Sequence, residues 1–220
     1  MKLSTKLNKG NHTMKKTLKN LSVKISPGNT KTGLIPAVSL TPIVSCRIDA
    51  PCHKDCYAMK SYRMYPNVRK AWDSNLAMYK NTPLSYFDDI NTYLEIKKPD
   101  FFRWHVAGDI IDTEYLQGMV TIAKTFPGTN FLCFTKQYRI INDYRDTFAC
   151  KTLLDNLQIV FSAWPSLRID NPFNFPVAFC DNGSEARLTG NELLCPGKCD
   201  TCGMCWNLGK IGKNVVFKLH

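Results

Sequence analysis

The chain has 220 residues, a net charge of +11 and 44% hydrophobic residues, enough apolar mass for one sizeable core and too much for general disorder. No apolar run reaches the ~20 residues of a membrane span, and the apolar residues near the start stand singly between lysines, unlike a secretory core. A secreted disulfide scaffold is therefore not expected, and the 10 cysteines are read for a reducing cytoplasm, where clustered thiols point to metal.

Residues 1–32 hold eight lysines and no Asp or Glu, which leaves only +3 for residues 33–220. The expected organisation is a basic arm (1–32) followed by a single α/β domain (33–220). An arm of this kind attracts nucleic acid or another polyanion. It equally serves as a solvated leader, since it has no aromatics for base stacking and no Arg for base readout.

Past the arm, strand-like and helix-like segments alternate. Leu34–Leu40 reads as a short strand. A helix is expected from Pro66 to Lys80, with Val68, Ala71, Trp72, Leu76 and Tyr79 at helical spacing. A second begins at Thr82 as N-cap with Pro83 at the first position, shows Leu84, Phe87, Ile90 and Leu94 on its apolar face, and ends at Lys97-Lys98-Pro99. Phe101–Val106 is a strand. Asp112 caps a helix containing Tyr115, Leu116, Met119, Ile122, Ala123 and Phe126. Asn130–Thr135 is a strand, Tyr138–Phe148 a helix, and Leu157–Ser162, Phe175–Cys180 and Asn214–Leu219 are strands. Alternation with nearly continuous apolar strands predicts parallel βαβ units covered on both faces. The expected fold is a partial (β/α) barrel of about six mostly parallel strands. In such folds the working residues follow the strand ends, here Gly108-Asp109, Lys136-Gln137, Ala163-Trp164 and Asp181.

Seven cysteines form two groups. Cys195, Cys199, Cys202 and Cys205 follow a C-x3-C-x2-C-x2-C run, with Gly197 and Gly203 permitting sharp turns. Three consecutive short spacings favour an iron–sulfur loop over zinc, which usually draws two C-x-x-C pairs from separate knuckles. Cys46, Cys52 and Cys56 form a second group with His53 inside it. Three thiolates leave a four-iron cluster one ligand short and so open to a substrate or cofactor. A closed zinc site with His53, or a ligand borrowed from the C-terminal group, are the alternatives. Cys133 and Cys150 read as small core residues, and Cys180 as a core residue or spare ligand. On the strand FFRWHV, alternation places Arg103, His105 and Ala107 on one face, where Arg103 and His105 serve either as anion holder and proton donor or as a mixed core pair. Lys136 can hold a carboxylate or phosphate, and Trp164 can stack on a base. Hydrolytic and phosphoryl-transfer motifs are missing.

The three-Cys loop after the first strand, ending in Cys56-Tyr57, resembles the cluster loop of radical S-adenosylmethionine (SAM) enzymes. The chain has C-x5-C-x3-C where that superfamily usually has C-x3-C-x2-C. Ala107-Gly108-Asp109 is similar to the superfamily's Gly-Gly-Glu, and Ser162 to its polar fourth-strand end. More closely, the chain from about Gly28 to His220 resembles the bacteriophage gene product 88 family. The matching pieces are GNTKTG, PAVSL, CHKDCYA, FRWHVAGDI, FLCFTKQ, IVFSAWP and the CPGKC-TC-CW tail. These resemblances imply a phage protein of the host cytoplasm with one or two 4Fe-4S clusters on Cys46, Cys52, Cys56 and Cys195, Cys199, Cys202, Cys205. They imply a SAM site at Gly108, Asp109, Lys136 and Ser162, with Asp109, His105 and Arg103 as the reactive groups. The other expectation is a metal-stabilised, non-enzymatic protein that binds nucleic acid or a host partner through its arm.

Overall fold

The computed structural model describes residues 17–148, 154–181 and 190–218. The chain forms β1 (Ile25–Ser26), β2 (Ala37–Val38), α1 (Tyr57–Met64), α2 (Pro66–Asn81), α3 (Pro83–Lys97), β3 (Phe101–Trp104), α4 (Thr113–Thr125), β4 (Asn130–Thr135) and α5 (Tyr138–Phe148). It continues with β5 (Leu157–Ser162), β6 (Val177–Asp181), β7 (Glu192–Leu194), α6 (Cys199–Cys202), α7 (Leu208–Ile211) and β8 (Asn214–Lys218). The eight strands make one sheet in the order β1-β2-β3-β4-β5-β6-β8-β7, parallel at every pair except β1–β2. The parallel α/β architecture is as the sequence predicts. Among the described residues the two edge strands, β1 and β7, do not pair with each other, so closure into a barrel is not shown. Both edge strands are too short for their apolar pattern to announce them.

Strand alternation sorts the core into two layers. Phe102, Trp104, Phe131, Cys133, Leu157, Ile159 and Phe161 face helices α2 to α5, where Leu76, Tyr79, Tyr86, Ile90, Leu94, Tyr115, Leu116, Met119 and Ile141 pack against them. Leu132, Val160, Ala178 and Val215 face the other way, against Ile35, Trp206, Leu208 and the cysteine-bearing tail. The helices begin and end for local reasons. Pro66 and Pro83 sit in the first turns of α2 and α3. Asp112 caps α4 by accepting the Tyr115 N–H at 2.7 Å. Thr82 holds the N-cap position of α3, but its hydroxyl donates back to the Met78 carbonyl of α2 at 3.2 Å instead of capping. The buried face of α3 is Tyr86, Asp89, Ile90 and Leu94, while Leu84 is exposed, because two residues before Tyr86 it falls on the opposite side of the helix. Where α3 meets α4, Gly118 leaves room for Phe87: a Cβ there would lie 2.2 Å from the ring.

The basic arm is partly built into the domain. Leu21 and Val23 are buried, and β1 pairs antiparallel with β2. Asp89 on α3 accepts the N–H groups of Ser22 (2.7 Å) and Val23 (3.1 Å), and Asn75 on α2 accepts Lys24 N–H at 2.7 Å. The alternation in Leu21-Ser22-Val23-Lys24-Ile25 is the pattern of a half-buried edge, which the lysine count overshadows. Residues 1–16 of the arm, and Cys150, lie outside the described residues. No helix among the described residues is long and apolar enough to cross a membrane.

Replacing Asp89 by Ala orphans two backbone donors at the seam between this segment and α3. A loss of about 1–3 kcal/mol per buried donor follows, or roughly 2–4 °C in Tm per kcal/mol for a chain of this size. Asp89→Asn keeps an acceptor and loses much less. Urea and thermal unfolding, with limited proteolysis around residue 20 as a local readout, check this; equal stability of the two variants counts against the seam.

Candidate functional site

The loops that leave β2, β3 and β4 are stitched together at one end of the sheet. Leu40 N–H donates to the Ala107 carbonyl at 2.9 Å, and the Ser39 hydroxyl accepts from Val106 N and Ala107 N at 3.2 and 3.3 Å. Gly108 has φ +85, and a Cβ on it would lie 2.5 Å from Ser45 Oγ and 2.8 Å from Leu40 Cβ. Only glycine allows this approach, so Gly108 serves the packing of the cysteine loop against the β3 exit. Ser45 Oγ donates to the Thr41 carbonyl (2.6 Å), and Thr41 Oγ1 donates to Asp73 on α2 (2.7 Å), which fixes the base of the loop. Cys52 lies in a short 3-10 turn, Pro51–His53, and Cys56 is the N-cap residue of α1. Tyr57 then donates its hydroxyl to the Val106 carbonyl.

Asp109 is buried in this seam. Its Oδ1 accepts from Thr135 Oγ1 (2.6 Å) and Ile110 N (2.8 Å), and its Oδ2 accepts from Lys136 N (2.9 Å). Burial pushes its pKa up, and these three hydrogen bonds pull against that. Cys46, Cys52, Cys56, Asp109 and Lys136 lie near enough to feel one another's charge. Burial first, then the Asp109 carboxylate, pushes the Cys46 thiol up to about 12. Burial also raises Cys52, and the Lys136 ammonium draws it back. Lys136 Nζ sits 5.7 Å from the centre of the Trp164 ring, so the loops after β4 and β5 also meet here. Ser162 closes β5, and its carbonyl accepts the Tyr138 hydroxyl. Arg47, which sequence reading passed over, bonds Asp49 on its own loop and the Lys136 carbonyl (3.3 Å), bracing the cysteine loop against β4.

Two expected residues lie elsewhere. His105 does not share a face with Arg103. Its backbone is left-handed (φ +58), which breaks the alternation one residue past β3 and turns the ring into the helix-side core. There Nε2 bonds Tyr115 Oη at 3.0 Å, Nδ1 lies 3.7 Å from Cys133 Sγ, and Tyr115 continues to Tyr86 Oη at 2.8 Å. Nothing in a single sequence marks a non-glycine residue for positive φ. Cys133 is fully buried in that core, as its place in the strand predicts. Arg103 stays on the opposite face and stacks over Phe134 at 5.0 Å.

The four C-terminal cysteines gather on the face opposite the helices. Cys195 N–H donates to the Val216 carbonyl (2.8 Å), extending the β7–β8 pairing. Cys199 opens the single turn α6, Gly203 closes it with φ +61, and Cys205 follows in the 3-10 turn Met204–Asn207. All four cysteines line one apolar pocket with Leu193, Leu208 and Val215. Trp206 anchors the tail edge-on to Phe101 (5.1 Å between centres), and Gly209 N–H donates to Gln158 Oε1 on β5 (2.8 Å). Burial pushes the Cys205 thiol up to about 12 and raises Cys199 as well. The described cysteines are all unpaired thiols. Among the described residues, no three His, Cys, Asp or Glu side chains are drawn together tightly enough to grip a single metal ion. Cys180 lies on β6, in register with Phe217 of β8.

A family model described as gene product 88 matches residues 3–208. No curated protein and no solved structure matches the chain.

His105 gives a test of the core beside the site. Burial, aided by the Arg103 charge, pushes its pKa down to about 3, against about 6.5 in an unfolded chain. The folded imidazole stays neutral while the unfolded one takes up a proton below about 6.5. Its contribution is therefore complete above pH 6.5 and is lost as pH falls toward 3. At pH 5 wild type should lose about 2 kcal/mol more, relative to pH 7.5, than His105→Asn in urea unfolding. The same acid loss in both proteins would assign the effect to other groups.

Proposed function

The chain belongs to the gene product 88 family, a bacteriophage gene product family, and on that footing we propose that it is an iron–sulfur protein with two cysteine-held centres. The observation that carries this reading is the gathering of Cys195, Cys199, Cys202 and Cys205 around one apolar pocket. Thiols raised by burial do not ionise at neutral pH on their own, and a bound metal supplies the positive charge that makes them thiolates. Cys46, Cys52 and Cys56 would hold the second cluster, with one iron left for a ligand. A 4Fe-4S cluster supplies one-electron transfer and, at an open iron, a Lewis-acidic site.

The residues around the open centre have separable tasks. Asp109 ties the β3 and β4 exits together and retains an acceptor position on Oδ2, where it can take a cationic amino group in a charge-assisted hydrogen bond. Lys136, held over Trp164, offsets thiolate charge at Cys52. Gly108 lets the loops close. The strand order, with the three-Cys loop past β2, Gly108-Asp109 past β3 and Ser162 at the end of β5, supports the radical SAM-like form of this reading, with SAM as the ligand of the open centre.

Protein prepared without oxygen should be brown and contain iron with acid-labile sulfide. Cys199→Ser and Cys52→Ser should each remove one cluster's share of iron and leave the other. SAM should change the electron paramagnetic resonance signal of the reduced protein, and Asp109→Asn should weaken that change at full iron content. A colourless protein with stoichiometric zinc ends the iron–sulfur reading; a spectrum indifferent to SAM ends its radical SAM-like form.

A second, non-enzymatic reading draws on the family match, which reaches back to residue 3 and so includes the lysine-rich start of the chain. In this reading Lys2, Lys6, Lys9, Lys15 and Lys16 neutralise phosphates of a nucleic acid. Deleting residues 1–16 should weaken binding to DNA or RNA and flatten its dependence on salt by ~0.7–0.9 for each phosphate no longer neutralised, with iron content unchanged. Equal affinity with and without these residues leaves the segment a solubilising leader.

A further inference from the structure

Two cations from distant parts of the chain stand over aromatic rings of the apolar cluster that contains three of the tail cysteines. Arg103 is fixed on β3 by its N–H to the Pro36 carbonyl (3.0 Å) and by its register with Ala37 and Leu132. Its guanidinium lies over Phe134, which packs in the apolar cluster that also contains Cys195, Cys199 and Cys205. Its Nε is buried and has no hydrogen-bond partner, and among the described residues no carboxylate pairs with it. Arg103 is half-buried, with this one guanidinium nitrogen turned in against the apolar face of the sheet.

The second cation comes from the loop Gly28–Gly33, the GNTKTG stretch that sequence reading divided between arm and domain. Asn29 and Gly33 exchange backbone hydrogen bonds at 3.1 and 2.8 Å, and Asn29 Oδ1 accepts the N–H groups of Lys31 (2.8 Å) and Thr32 (2.9 Å). This rigid loop is seated on α6. The Lys31 carbonyl accepts Cys199 N–H at 3.0 Å, and a Cβ on Gly33 would lie 2.0 Å from Asp200 Oδ2. Lys31 Nζ lies 5.6 Å from the centre of the Phe217 ring, which in turn meets Phe134 edge-on at 5.5 Å. Lys31 and Arg103 thus stand on the two members of one aromatic pair, and both rings pack in the apolar cluster that contains Cys195, Cys199 and Cys205.

We propose that Arg103 and Lys31 form a cationic flank that offsets the negative charge of the centre held by Cys195, Cys199, Cys202 and Cys205, and that Arg103 sets its reduction potential. The inference rests on the iron–sulfur reading. Four thiolates outweigh the positive charge of a 4Fe-4S core, and reduction adds one electron with no group leaving. A fixed cation nearby therefore stabilises the reduced form more than the oxidised form and raises the potential. Arg103 is a positioning residue for charge, because it acts through space and ligates nothing.

The test is a redox titration of the full chain loaded without oxygen, using a one-electron reductant and reading the electron paramagnetic resonance signal that Cys199→Ser removes. At the wild-type midpoint, Arg103→Met should hold about tenfold less reduced than oxidised cluster, a downward shift of ~59 mV for one electron. Arg103→Lys should restore most of the potential, and Lys31→Met should move it the same way by less. An unchanged midpoint in Arg103→Met at full iron content overturns the proposal. Should that variant fail to fold or load, Lys31→Met decides alone, and an unchanged midpoint there is equally fatal. Wild-type protein without iron and sulfide removes the iron–sulfur reading itself, an outcome distinct from a loaded centre whose potential ignores both cations.

Discussion

A parallel strand reaches its neighbour only by a crossover that leaves the sheet, and crossovers of one hand between strands laid side by side in chain order all leave by the same face. Strands β2 to β6 are laid down in that order, and the rest of the molecule follows from it. Helices α2 to α5 collect on one side and bury Phe102, Trp104, Phe131, Ile159 and Phe161 beneath them. The other side is left with its own apolar residues, Leu132, Val160, Ala178 and Val215, and no helix from the crossovers to cover them. The C-terminal segment fills that gap. Trp206 and Leu208 are the apolar plug, and the cysteines are carried in beside them.

The same order brings the strand exits to one end. The loops there are short of room and short of acceptors, and two adjacent residues, Gly108 and Asp109, resolve both problems. Gly108 accepts the close approach of Ser45 and Leu40, and Asp109 takes up N–H and O–H groups that the β3 and β4 exits would otherwise leave unpaired. A carboxylate held in this way is first a structural group. Its loss would open the seam between the β3 and β4 exits, so the ligand-binding part proposed for it would be separable only by a substitution that keeps the acceptors.

Much of this was legible because it is local. Helices α2 to α5 and strands β4 and β5 have long periodic patterns with Pro, Asp or a turn at their ends, and the cysteine spacings stand out in any reading. What was not legible depends on tertiary contact. Leu84 continues the helical period of α3, yet the face that the helix buries is the one marked by Tyr86, Ile90 and Leu94, and Leu84 lies off it. His105 continues the alternation of β3, yet its left-handed backbone sends the ring to Tyr115. Lys31 counts as one more charge in a basic arm until the Asn29–Gly33 turn is seen to rest on Cys199. Arg103 reads from the sequence as a charged residue on a strand, but the tail cysteines that share its apolar cluster lie nearly a hundred residues away, and no periodicity reports that.

The two sulfur groups differ in what holds them, and this bears on how metal and fold are coupled. The Cys46–Cys56 loop is pinned by hydrogen bonds that need no metal, from Thr41 to Asp73, Ser45 to Thr41 and Arg47 to the Lys136 carbonyl. The tail between Cys195 and Cys205 has few such ties. It is held at its ends, by the pairing of β7 and β8 before it and by Trp206 and Gly209 after it, while α6 is a single turn whose main outside contact is the Lys31 carbonyl. A segment this short has little helical stability of its own. Binding energy from a metal centre would therefore appear as folding energy in the tail and as ligand affinity in the loop. The apolar face under Trp206 and Leu208 makes that difference matter. If the tail loosens, the buried side of β4 and β5 meets water, whereas loosening of the three-Cys loop exposes only the polar seam around Asp109.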